Sequence, residues 1–162
     1  MKKILIVFCM LILSLVTLGG CLSLGTTDNQ GNGSISGTPS GTQKGNLGEY
    51  NVVIDSCRLA TDYAGKPAVI VKYIFTNYSE DANSFMFSVS DTVYQNGISL
   101  DTAIVSGSNY SSDNQLKEIK TGVTLTVEVA YELDNTTDSI EVEVTELFSF
   151  NDLKVIKTFQ LK

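Results

Sequence analysis

A chain that lacks histidine has few ways to move a proton near neutral pH, and this one has no histidine among its 162 residues. Ser-His-Asp triads, Cys-His pairs and His-ligated zinc are thereby excluded. The side chains left for chemistry are three cysteines and 18 carboxylates, set against 11 Lys and Arg for a net charge of −7. Cys21 closes the tetrapeptide Leu18-Gly19-Gly20-Cys21, where small residues give a peptidase room to cut and the thiol is a nucleophile for acylation. Cys57 sits in an apolar run with Arg58 on the opposite face, and reads as a buried, inert thiol. Glu141 and Glu143 share one face of a strand, with Glu128 and Glu132 on a neighbour. Paired carboxylates hydrolyse glycosides when one is buried enough to stay protonated. Outward carboxylates on an open sheet stay ionised, and the chain has no Trp to serve as a sugar platform. They read as a solvated acidic face. Asp134, Asn135 and Asp138, and Ser111-Ser112-Asp113-Asn114, are rich in oxygen. They lack the alternating ligands and distal Glu of a calcium loop, and read as turns. The expectation is a non-enzymatic chain with no metal or cofactor, and the acidic balance argues against nucleic acid.

The segment before Cys21 supplies its context. Lys2 and Lys3 precede an apolar run from Ile4 to Val16, broken only by Ser14. That is short of the roughly 20 apolar residues of a spanning helix, and fits the charged, apolar and small-residue regions of a secretory leader. Closing such a segment, Leu18-Gly19-Gly20-Cys21 resembles a bacterial lipobox, in which the Cys receives a diacylglyceryl group and the chain is cut before it. Residues 1–20 are thus expected to be a lipoprotein signal peptide. Residue 22 is Leu, so no acidic retention signal follows the Cys. With Cys9 removed and Cys21 acylated, Cys57 would stand alone, without a disulfide.

Residues 21–47 read as the lipidated Cys followed by a linker. Over residues 22–46 Gly, Ser, Thr, Asn and Gln dominate, and the only apolar side chains are Leu22, Leu24 and Ile35. Such a composition cannot offset its own ordering entropy. As a coil it would average about 25–30 Å from end to end.

Residues 48–162 carry strand patterns. Tyr50–Leu59 reads as a first strand, and Ala68–Thr76, apolar on both faces, as a central second one. Phe85, Phe87 and Val89 alternate along a third. Asn96-Gly97 is a type I′ hairpin signal joining Thr92–Gln95 to Ile98–Leu100. Residues 101–115 are irregular, and 116–120 read as a short strand or a turn. In Thr124–Leu133 the alternation puts Leu125, Val127, Val129, Tyr131 and Leu133 on the core and Thr124, Thr126, Glu128, Ala130 and Glu132 in water. Ile140, Val142 and Val144 repeat the pattern, and Val155–Leu161 closes the domain. The expected fold is all-β, an immunoglobulin-like antiparallel sandwich of about seven strands, with a small barrel as the alternative. Gln95, Asn96 and Gly97 at one loop, and Asn109 and Tyr110 at another, are the candidate binding residues; the simpler reading of the first group is that Asn-Gly makes the turn and Gln95 bonds backbone nearby.

Several segments, in order, resemble a known family: Asp62-Tyr63-Ala64-Gly65-Lys66-Pro67, Phe75-Thr76-Asn77, Tyr94-Gln95-Asn96-Gly97-Ile98-Ser99-Leu100, Tyr131-Glu132-Leu133 and Ile140-Glu141-Val142-Glu143-Val144. The order resembles the bacterial family catalogued as domain of unknown function 5067, over about Tyr50 to Leu161. More loosely it is similar to the immunoglobulin-like family catalogued as 4352, with Thr121-Gly122 where that pattern has Pro-Gly. The resemblance implies a sandwich outside a bacterial cell, a Gram-positive one, and supplies no activity and no catalytic residues. The function expected is a surface lipoprotein held to the membrane through diacylglyceryl-Cys21, binding an unidentified protein or cell-envelope component. The alternative is a spacer domain of a membrane assembly without a ligand of its own.

Cys21→Ala should abolish both lipidation and cleavage at this site. Metabolic labelling with a fatty-acid analogue checks it: a wild-type chain that takes up no label would end the lipoprotein reading.

Overall fold

The computed structural model describes residues 44–107, 109–150 and 152–161. The expected leader, Leu18-Gly19-Gly20-Cys21 and most of the expected linker lie outside them. Among the described residues eight strands and one α-helical turn follow in order, with a 3-10 turn between β5 and β6: β1 (Lys44–Asn46), β2 (Tyr50–Thr61), β3 (Pro67–Asn77), α1 (Phe85–Ser88), β4 (Val89–Gln95), β5 (Ile98–Ser99), β6 (Thr124–Glu132), β7 (Ile140–Glu146) and β8 (Lys154–Phe159). They form two four-stranded antiparallel sheets, ordered β1-β2-β3-β6 and β5-β4-β7-β8. The sandwich expected from the alternation is therefore present, as two separate sheets rather than a barrel.

The core lies between the sheets. Val52, Ile54, Val69, Val71, Tyr73, Phe75, Val127 and Val129 from the first sheet meet Val89, Val93, Ile140, Val142, Val144 and Val155 from the second. Register follows the alternation, with Val71 opposite Val129 and Val93 opposite Val142. The Asn96-Gly97 turn has φ of 54° and 79°, as a type I′ hairpin requires.

Three expectations are corrected. The domain begins before residue 48: β1 pairs with β2, Gly45 opposite Val52, and Leu47 is fully buried. A Cβ on Gly45 would lie 2.4 Å from Val155 Cγ2, so this glycine lets β1 lie against β8. Phe85 and Phe87 do not alternate on a strand. The helical turn sends Phe85 into the core, 5.1 Å from the Tyr73 ring and 5.7 Å from Phe75 by centroids, and leaves Phe87 outside. Ala130 does not face water. It lies in a small outer cluster with Ala68, Ile70 and Ala103, packed by Val105 and Tyr110 of the segment between β5 and β6.

That segment runs along the open edge of β6 and takes up its backbone groups. Asp101 O accepts from Glu132 N, and Ala103 N donates to Ala130 O. Asn114 Nδ2 donates to Thr126 O at 2.9 Å and Gln115 Nε2 to Glu128 O at 2.6 Å. A 3-10 turn at Asp113–Gln115 places these two amides. Residues 116–120, expected as a short strand or turn, supply one bridge, Asn83 to Ile119. On the opposite flank β2 bulges at Asp55, between the pairs Ile54–Tyr73 and Ser56–Lys72. Lys157, on the inward side of β8, donates to Ile54 O at 3.0 Å and Asp55 O at 2.6 Å. Edge strands that are capped or carry an inward charge resist pairing with other chains.

Gly45→Ala should cost about 1–3 kcal/mol, because Val155 must leave its rotamer or β1 must move. Val155→Ala opens the same space, so the double substitution should cost clearly less than the sum of the singles. Chemical denaturation of the four chains checks this, and strict additivity would refute the contact.

Candidate functional site

The expected binding residues fall at two places. Gln95, at the end of β4, is fully buried. Its Nε2 donates to Asn135 O and Asp138 O, and its Oε1 accepts from Asp134 N and Asn135 N. An amide that spends all four bonds on one loop has none for a ligand, so Gln95 is a loop anchor. Asn96 Nδ2 and Asn135 Nδ2 both donate to Asp138 Oδ2, at 2.8 and 2.9 Å. These bonds hold the Asp138 carboxyl below its usual range. Asn96 and Gly97 rim a shallow basin of about 470 Å³ on the outer face of the second sheet, with Tyr94, Glu141, Glu143 and Thr158. Lys154 reaches Glu143 there at 3.4 Å.

Asn109 and Tyr110 lie on the outer face of the first sheet. Arg58 forks onto Glu128, Nη1 to Oε1 at 2.5 Å and Nη2 to Oε2 at 2.9 Å, and Nη2 also donates to Asn109 O. The guanidinium holds the Glu128 carboxyl below its usual range. Burial pushes the Tyr110 hydroxyl up. Three adjoining clefts share this ring. One of about 440 Å³ is lined by Arg58, Leu59, Ile70, Val105, Asn109 and Tyr110. A second, of about 270 Å³, includes Met86, Ala103, Ile104 and Val129, and a third includes Asn114, Thr126 and Glu128. Leu59, Met86 and Ile104 are exposed along them. The sequence marked Tyr110 but not this apolar rim, because Ile104 and Met86 come together only through the path of the β5–β6 segment.

Cys57 is half-buried against the core, and burial raises its thiol pKa, which disfavours the thiolate. Among the described residues, no group of three or more His, Cys, Asp or Glu is placed to hold a metal ion. Sequence reasoning missed one titratable group. Asp91 lies between Val89 and Val93 on the inward side of β4, where it accepts a hydrogen bond from the Tyr131 hydroxyl. Tyr73 OH lies 3.4 Å from Tyr131 OH, fully buried. Burial raises the Asp91 carboxyl above its usual range, against the hydrogen bond that lowers it. Its phase with Val89, Val93 and Gln95 was the available signal.

A family model described as Domain of unknown function (DUF5067) matches residues 33–146. The chain belongs to this family. The DUF5067 match spans β1 to β7 and stops before β8. No curated protein matches the chain. Two solved structures share the fold. One is a Bacillus subtilis protein, YcdA, described as a candidate lipoprotein, with 13% identity, a TM-score of 0.56 and coverage of 74% of this chain. This chain spans 38% of that one. The other is a protein from Enterococcus faecalis, with 18% identity, a TM-score of 0.55 and coverage of 75% of this chain and 91% of that one. At these identities the likeness concerns the fold of the DUF5067 domain alone.

Asp91 gives the domain a pH signature. Its folded pKa lies above the ordinary 3.8. Its contribution to stability is therefore complete below that value and is lost as pH rises through it towards the folded pKa. Asp91→Asn keeps an acceptor for Tyr131 and cannot titrate. The stability of the variant relative to wild type should rise with pH across this interval. A difference that stays constant from about pH 3 to about pH 8 in chemical denaturation would refute the assignment.

Proposed function

We propose that the chain is a lipid-anchored, extracytoplasmic binding module without catalysis of its own, and that the Tyr110 flank of the first sheet is its binding surface. The anchor rests on the basic and apolar leader closing at Leu18-Gly19-Gly20-Cys21. The YcdA neighbour, described as a candidate lipoprotein, agrees with it. The observation that carries the binding reading is the cluster of clefts around Tyr110. There exposed Leu59, Met86 and Ile104 lie beside the Arg58–Glu128 pair. An apolar surface with a few fixed polar groups is how protein partners are recognised. The distribution of acids supports a non-catalytic role. Asp91, the carboxyl that burial raises, is spent on Tyr131 inside the core, while the bonded carboxyls Asp55, Glu128 and Asp138 are held low and ionised. The partner is a protein or another component of the cell envelope.

A photo-activatable side chain replacing Ile104 in intact cells should give a discrete crosslinked product, lost when Leu59→Asp is added. The same group replacing Glu141, on the other sheet, should give none. Equal products from both positions, or none from Ile104, would sink the assignment of this flank.

A further inference from the structure

The hairpin between β7 and β8 carries Leu147-Phe148-Ser149-Phe150. Phe148 is 89% and Phe150 106% exposed. Single exposed apolar residues are ordinary, but these two are joined by others at the same end of the sandwich. Leu153 follows in the same loop, and Tyr78 and Val123 come from the loops after β3 and before β6, all exposed. Register and loop bonds place them together. Glu146 pairs with Val89, Thr76 pairs with Thr124, Asn77 N donates to Val123 O, and Leu147 N donates to Ser88 O. Phe148 has φ of 61°, in the left-handed region that an aromatic residue rarely adopts. Strain of this kind persists where the surroundings impose it, and it concentrates at functional loops.

β1, antiparallel to β2, runs towards this same end. Lys44, where β1 starts, lies opposite Val53, three residues along β2 from its first residue, Tyr50. Only 22 residues separate it from Cys21, and fully extended they reach no more than about 80 Å. We infer that the Phe148–Phe150 tip is an interfacial foot that seats the domain on the lipid bilayer holding Cys21. The inference rests on the lipid-anchor reading above and is independent of the Tyr110 flank. A protruding tip of two aromatic rings suits a lipid interface, into which it can dip without a matching groove. The exposed carboxylates Glu49, Glu80, Asp81 and Asp152 outnumber the exposed Lys120 and Lys154 at this end, so charge does not draw the tip to an anionic surface. The tether supplies the local concentration instead. Insertion should therefore be deeper in zwitterionic than in strongly anionic vesicles at low salt, and the difference should shrink as salt screens the carboxylates.

The protein contains no Trp, so Phe150→Trp introduces a single indole at the tip. The full-length variant, processed in cells and reconstituted into phosphatidylcholine vesicles, should float with them. Its emission should be blue-shifted and quenched by bromine-labelled acyl chains. Tyr63→Trp, in the loop between β2 and β3 at the opposite end, should remain open to iodide and unquenched by bromine. A chain that fails to float overturns the anchor reading and the foot with it. A floating chain whose position-150 indole is open to iodide overturns the foot alone. Shielding from iodide without bromine quenching marks contact with a second copy of the chain, and also overturns the bilayer assignment.

Discussion

A buried side-chain amide can make four hydrogen bonds, and it destabilises a fold when it makes fewer. Gln95 makes all four within the loop that joins β6 to β7. Asn77 does the same at the other end of the sandwich. Its Nδ2 donates to Asp81 O and Ile119 O, while its Oδ1 accepts from Ser79 N and Ser79 Oγ. Both side chains are wholly buried. Each thus fixes the loops at one end against the last residue of a strand. Asn77 and Gln95, both within the residues matched by the family model, have structural duties that account for them without a ligand.

The edges obey the same demand. Outward backbone groups of β6 are met by Asp101, Ala103, Asn114 and Gln115, and on the far flank Lys157 satisfies the β2 bulge from within. Strand addition, the simplest way for a sheet to take a partner, has little backbone left to use on β6. Recognition on that side has to use side chains. The Tyr110 clefts supply them because the segment that seals the edge also folds its own apolar residues over Ile70 and Ala130. Sealing the strand and building the surface are one event in the chain path.

How far the sequence discloses this depends on the range of each interaction. Thr124–Glu132 and Ile140–Glu146 are legible because a period of two is local and one face meets a core. The type I′ turn is legible because Asn96 and Gly97 themselves tolerate positive φ. The start of the domain is not legible, since Gly45 in a Gly-rich stretch gains its meaning only from Val155, far along the chain. Residues 101–115 look irregular because their partners lie on β6 rather than beside them. Phe85 and Phe87 imitate a strand, and the aromatic contacts of Phe85 with Tyr73 and Phe75 select a helical turn instead. Asp91 was readable from its phase on β4. The habit of assigning carboxylates to water hides it. As for the candidate residues, the sequence located Tyr110 but not the rim around it, and of its two readings of Gln95 the bond to nearby backbone is the one found.

The two ends of the sandwich then spend their polar groups differently, although both expose apolar side chains, Tyr63 and Ile98 among them at the end holding Gln95. At the end holding Gln95, the polar side chains of the loops bond one another, and Asn96, Asn135 and Asp138 leave little unspent. At the end holding Asn77, the polar groups turn inward to the amide, and the exterior is left to Tyr78, Val123, Phe148, Phe150 and Leu153. An apolar end on a free domain invites self-association. An excess of carboxylates opposes it, because like-charged copies repel one another. That repulsion falls off within about 10 Å at ordinary salt, so it keeps copies apart without preventing a tethered domain from resting its apolar end on a surface already within reach. Acidity and an aromatic tip are thereby consistent with the tether proposed above.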